Sequence, residues 1–460
     1  MGTLSKSTKK DWKPVAVSRG ESNRRLRQEV KRQKERAEKW RARFHELKIN
    51  SSLRPTPRHS YPLELIWLAI WMRIGGNVSL RGISQCLVKW GELNGLRNTK
   101  FSPTTIRNWC LKYGLYALLR PIPTGKYVLI CDESVEIGRE HLMLVLAIPI
   151  QSCSPIAPLR MEDVRVLDLA VQRSWKGQEL AQMIQAKQQQ YGLEFVYGIS
   201  DKGHVLRNAY ALCNITWVGD CTHQIANSAK AIFRKDEAFN TFIKQLNALR
   251  AKWIMSKNNF YVPPALRAKT RFHQLFVVHK WAQHILQQWD TIAAQTQLEL
   301  AFLQQARSTI AVMKHFHDLI DAFAGIFKAR GIQKNSLEQW TGFVANYRKE
   351  NSLSDKAEQF IGQMNIYLEQ QQAKFSQQRQ ILCCSDIIES MFGKYKNKGG
   401  MKMITEDVLK IAAYPEEKKL EHVRQAMQKI RMVDVKQWKT QHTTVSKLAL
   451  IKKASLKSTA

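Results

Sequence analysis

No stretch of this chain is apolar enough to cross a bilayer. The longest apolar runs, around residues 63–74 and 142–150, fall short of the roughly 20 residues that a membrane helix needs. The first 20 residues are polar and lysine-rich, without an apolar segment, which predicts no secretory signal. No CxxC pair occurs among the eight cysteines, which counts against a zinc ribbon or a disulfide framework and predicts reduced thiols in the cytoplasm. No internal repeat is present. Acidic residues are scarce: 38 Asp and Glu stand against 72 Lys and Arg, a formal charge of +34. Such an excess suits a polyanionic partner bound through counterion release, or else a ribosome-associated or merely basic protein. The 460 residues suffice for two or three cores.

Residues 1–55 read as a basic arm with strong helix propensity from 21 to 48. Arg24 and Arg25 are its candidate DNA contacts, and the alternative is a solvated arm. Residues 56–122 read as an all-α, helix-turn-helix-like DNA-binding domain. A first helix over 62–74 stops at Gly75-Gly76, and Ser79 caps a second over 80–90. Ser102-Pro103 then opens a third, with Pro at the first helical position. On that helix Ile106, Trp109, Cys110 and Tyr113 form an apolar face, while Arg107, Asn108 and Lys112 are placed to read or hold DNA. A plain helical bundle would carry the same pattern.

Residues 123–235 change to α/β. Strands are expected over 127–136, 140–150 and 164–172, the first two joined by a turn at Gly138. A helix over 175–191, a strand over 193–200, a helix from about 203 and a strand over 215–219 follow. The order β-β-β-α-β-α-β predicts an antiparallel meander extended by parallel crossovers, as in the ribonuclease H fold. Residues 236–380, rich in Gln, Ala, Leu and Lys, read as an all-α insertion. Residues 381–412 would return to the core with a helix around Glu389, and 413–460 form a basic C-terminal tail.

Three carboxylates stand out. Asp132 closes the apolar run 127–132, Asp201 closes the run 195–201, and Glu389 sits in a helical segment followed by Lys394, Lys396 and Lys398. Phosphodiester cleavage requires an activated attacking oxygen and a stabilised leaving oxygen. Two divalent ions held by carboxylates accomplish both.

Four segments make the chain resemble the DDE transposases of bacterial insertion sequences and their hAT and Mutator-type relatives. They are Cys131-Asp132-Glu133-Ser134, Gly198 to His204, Gly219-Asp220-Cys221-Thr222-His223, and Ser385 to Ser390. The resemblance spans roughly residues 60–400. It implies a ribonuclease H-like core with a mixed five-stranded sheet, with Asp132, Asp201 and Glu389 holding two Mg2+ or Mn2+ ions. It also implies that His223 lies near the active site, contacting the scissile phosphate or orienting a carboxylate. The expected partners are double-stranded transposon terminal inverted repeats and target DNA. A homodimer or larger assembly on DNA is expected, in a bacterial cytoplasm near the nucleoid, with no membrane partner. Lys396 matches a lysine that some relatives place seven residues after the catalytic Glu, while the Tyr and Arg of that signature are replaced by Leu382 and Ser385. Lys396 fits equally well as one of three general DNA contacts.

Asp220 competes with Asp201 for the second ligand position, or else caps a helix beside a packed His223. Asp386, one turn before Glu389, competes with it but also suits a helix N-terminus. Cys221, His223, Cys383 and Cys384 match no common zinc-finger spacing. No insertion aromatic is singled out. Two rivals stand beside the transposase: a structure-selective or RNA-directed nuclease of the same fold, and a non-catalytic DNA-binding protein derived from a transposase.

Overall fold

The computed structural model describes residues 23–24, 26–39, 59–93, 100–135, 140–153, 159–265, 275–328, 330–375, 380–396 and 405–443. They belong to two compact units, Met1–Tyr116 with Lys418–Met432, and Ala117–Glu417 with Val433–Ala460.

In the first unit, residues 26–39 are helical and exposed. Helix α1 (Leu63–Ile70) loosens into a π turn, Trp71–Gly75. Helix α2 (Leu80–Leu93) starts where the Ser79 hydroxyl accepts the Gly82 N–H at 3.0 Å. Helix α3 (Pro103–Leu119) starts beside the Ser102 hydroxyl, which accepts the Thr104 N–H at 3.2 Å. Each of these hydroxyls satisfies a backbone donor that the first turn leaves free. Ile106, Trp109, Cys110 and Tyr113 are buried, as the α3 pattern requires. The helix Leu420–Lys429 belongs to this unit and packs on α1.

In the second unit, five strands form one mixed sheet in the order β3-β2-β1-β4-β5. They are β1 (Gly125–Val135), β2 (His141–Pro149), β3 (Arg165–Gln172), β4 (Leu193–Ser200) and β5 (Trp217–Gly219). The pairs β1–β2 and β2–β3 are antiparallel, and β1–β4 and β4–β5 are parallel. These bounds fall within two residues of the sequence expectations; the Gly138 turn lies outside the described residues. The strands alternate between two buried faces. Leu129, Cys131, Met143, Val145 and Ala147 pack on helices α4 (Gly177–Tyr191) and α5 (His204–Leu212) through Leu180, Ile184, Leu206 and Tyr210. Full burial of each large aliphatic side chain contributes about 1.5–3 kcal/mol.

After β5 the chain is helical: α6 (Cys221–Phe233), α7 (Glu237–Trp253), α8 (Leu275–Gln287), α9 (Arg307–Phe327), α10 (Ser336–Glu350) and α11 (Asp355–Ala373). Phe233 contacts Phe239 and Phe316, and Phe323 contacts Trp340, giving this region its own aromatic core. Trp253 and Trp340 are fully buried, whereas Phe260 is exposed. Two short strands, Ile332–Gln333 and Gln380–Ile381, pair antiparallel and bring the chain back. Helix α12 (Asp386–Lys396) then packs against β1.

Candidate active site

Asp132 closes the apolar run of β1 but not the strand, which continues to Val135. The parallel pairing of β1 with β4 stops at Ile130↔Ile199, while its antiparallel pairing with β2 continues through Asp132↔Leu144 to Val135↔His141. Asp132 therefore stands just past a fork between β1 and β4. Asp201 is the first residue beyond β4, on the other prong.

One side chain fills the fork. The buried Tyr210 hydroxyl accepts the Cys131 N–H at 3.1 Å and donates to the Ile199 carbonyl at 2.9 Å. Each bond replaces ladder pairing that the diverging strands have lost. Gly198 makes room, since a Cβ there would lie 2.8 Å from the Tyr210 ring. Tyr210 thus sets the spacing of the strand ends that carry Asp132 and Asp201. Tyr210→Phe leaves a buried donor and acceptor unpaired. It is expected to cost about 1–3 kcal/mol in urea denaturation; an unchanged unfolding midpoint would rule out this bridging role.

Asp132 is half-buried, and its Oδ1 accepts the Glu133 N–H at 2.7 Å. Burial above all, with added repulsion from Asp201 and Glu389, pushes its carboxyl up to about 7, although the Glu133 N–H and His223 pull it down. Glu133 leaves the strand on the opposite face and is paired with the His141 ring. Asp201 Oδ1 accepts the Gly203 N–H at 2.8 Å, and a Cβ at Gly203 would approach that oxygen to 2.8 Å. This tight turn fixes one carboxylate oxygen of Asp201.

Asp220 has a different task. It is buried and caps α6, with Oδ1 accepting the His223 N–H at 2.8 Å. Its Oδ2 accepts the Ser385 N–H at 2.6 Å and the Ser385 hydroxyl. Burial raises its carboxyl, but contacts with His223 and Ser385 outweigh that and hold it below the usual range. Asp386 is likewise engaged, by the Thr222 hydroxyl at 2.9 Å and Lys328 at 2.6 Å. Both competitors spend their oxygens on holding the α12 entry.

His223 joins the two groups. Its Nδ1 lies 3.3 Å from Asp220 Oδ1 without hydrogen-bond alignment, so this is a charge contact, and its Nε2 lies 3.7 Å from Glu389 Oε1. The Asp220 side chain foremost, with Asp132 and Asp201 adding to it, lifts the imidazole to about 9 despite burial. These carboxylates favour the charged form of the ring. Glu389 itself is exposed.

Asp132, Asp201, Glu389 and His223 thus share one electrostatic environment. Hard oxygen donors crowded by like charge suit a divalent cation such as Mg2+. Among the described residues, however, no three His, Cys, Asp or Glu side chains form a group ready to hold a metal ion.

Lys394 sits over the Tyr414 ring, and burial lowers its ammonium pKa. Lys396 is exposed at the end of α12, with its ammonium 5.7 Å from the Phe392 ring. Arg107, Asn108 and Lys112 are half-buried on α3 of the first unit, and Arg24 is exposed on the arm helix. Arg25 and Lys398 lie outside the described residues. Sequence reasoning missed Tyr210 and, although Ser385 stands in one of the quoted motifs, its bond to Asp220; the only trace of the former was a glycine inside β4.

No family model and no curated protein sequence matches the chain.

Proposed function

We propose that the chain is a DDE transposase with a ribonuclease H-like core, which cleaves DNA at transposon ends and transfers the freed strand to target DNA. The observation that carries this reading is the fork between β1 and β4. It sets Asp132 on the β1 prong and Asp201 just past the β4 prong, while His223 lies 3.7 Å from Glu389. The strand order β3-β2-β1-β4-β5, the long helical region between β5 and α12, and the charge of +34 support it further.

Asp132, Asp201 and Glu389 would hold the divalent ions. When bound, such ions activate the attacking oxygen and stabilise the leaving one. Asp201 keeps one oxygen tied to the Gly203 N–H, so the other is held in a fixed direction. Protonated His223 offsets the carboxylates' mutual repulsion and carries a positive charge where the scissile phosphate would approach. Asp220 ties the His223 backbone and the start of α12 together.

The test is to incubate the full chain and Mg2+ or Mn2+ with linear DNA carrying the inverted repeats that flank its gene. Cleavage at the repeat ends, followed by joining of the 3′ hydroxyl to a second DNA, is expected. Hydrolysis without joining would assign the site to a nuclease, and no cleavage with either ion would defeat the catalytic reading.

A further inference from the structure

Immediately after Asp201 the surface opens into a cavity of about 700 Å³, within the size range of ligand clefts. Its walls carry three basic side chains, Lys202, Arg207 and Lys374, together with His204, Asn208 and Trp217. None of the described residues lining it is acidic, and among the described residues none of the three cations pairs with a carboxylate. Arg120 and Arg165 of the same unit, by contrast, share the carboxylate of Glu416.

Trp217 organises the cluster. The Arg207 guanidinium lies 4.9 Å and the Lys374 ammonium 4.6 Å from its ring centroid. Lys374 also donates to the Trp217 carbonyl at 2.9 Å. The indole N–H donates at 3.1 Å to the hydroxyl of Ser200, the residue before Asp201. One aromatic side chain therefore gathers two cations and ties them to the strand end that carries the candidate catalytic aspartate. Burial first, and then the nearby Arg207, lower the Lys374 pKa, so the cations crowd one another without an anion.

We propose that this pocket binds phosphate groups of the DNA strand that passes Asp201, and so holds the substrate backbone beside the carboxylates. The proposal rests on the function proposed above. A guanidinium and two ammonium groups around one open cavity match the spaced charges of a phosphodiester backbone. A small polyphosphate shares that chemistry, and the experiment separates the two.

Binding of the full chain to fluorescein-labelled double-stranded DNA is measured by anisotropy across a salt series, for wild type, for K202Q/R207Q and for K374Q. K202Q/R207Q keeps the Lys374 contact with the Trp217 carbonyl, and both residues are exposed, so an unchanged thermal melt is expected. The slope of log affinity against log salt should fall by about 2 in the double variant and by about 1 in K374Q. Unchanged slopes and unchanged pyrophosphate binding in both variants, with wild type binding DNA, overturn the pocket and leave the transposase reading standing. Loss of pyrophosphate binding with unchanged DNA slopes overturns the strand assignment in favour of a small-anion site. Absence of DNA binding by wild type overturns both.

Discussion

Asp132→Asn is expected to lower DNA end cleavage by about 10²–10³-fold, the range for losing one preorganised electrostatic contact in a transition state, while DNA binding persists. The substitution is close to isosteric, and its carbonyl oxygen can still accept the Glu133 N–H that Oδ1 now takes. What it removes is charge. The carboxyl already titrates near 7 because burial and the neighbouring Asp201 and Glu389 disfavour its ionised form. A neutral amide at this position would relieve that burial penalty, so the variant should be no less stable than wild type. Loss of activity without loss of fold would separate a catalytic carboxylate from a structural one. Glu389→Gln provides the companion test. Its side chain is exposed, so stability should change by less than about 0.5 kcal/mol while cleavage falls comparably. Full activity in either variant, measured on the same DNA substrate, would remove that residue from the site.

Asp220→Ala is expected to have the largest effect on stability, about 3–7 kcal/mol in denaturant unfolding. The carboxylate is buried and accepts from the His223 N–H, the Ser385 N–H and the Ser385 hydroxyl. Loss of the helix cap costs about 1 kcal/mol. Each buried donor left without a partner costs about 1–3 kcal/mol more. A domain's whole stability is of order 5–15 kcal/mol, so the variant approaches the threshold of folding. Asp220→Asn retains an acceptor and should cost less. The acid limb gives a second readout. Because the folded carboxyl titrates below its unfolded value, its contribution is fully present above about pH 4 and is lost as the pH falls through the lower folded value. Asp220→Asn should flatten that limb. An acid-unfolding profile identical to wild type would mean that Asp220 does not tie α6 to the α12 entry.

The contrast between these residues shows what was legible in the sequence. Asp132, Asp201 and Asp220 all follow apolar runs with the same local appearance. Strand positions could be read because period-2 burial and turn residues are local signals, and β4 was read over the residues it occupies. The use of each carboxylate was not local. Asp201 is anchored by a glycine two residues away, so its orientation is written nearby. Asp220 is occupied by Ser385, which is 165 positions distant. Tyr210 acts across the sheet on Cys131, 79 positions earlier. Nothing in its own segment marks it, because a tyrosine on the buried face of a helix is ordinary.

By itself the sequence determined the charge, the absence of a membrane-spanning run, the order of strands and helices, and the caps at Ser79 and Ser102. All of these depend on composition or on residues a few positions apart. Tertiary structure alone decided how the chain returns after more than a hundred residues of helices. Leu382 is held by the Tyr197 hydroxyl, Cys383 by the Cys221 N–H, Ser385 by Asp220 and Asp386 by Thr222. Those four ties bring Glu389 to His223, and Trp217 gathers Arg207 and Lys374 into one basic pocket. Hydrogen bonds and ring contacts between distant segments have no periodicity for a sequence to display. They exist only once the sheet edge and the helices are packed.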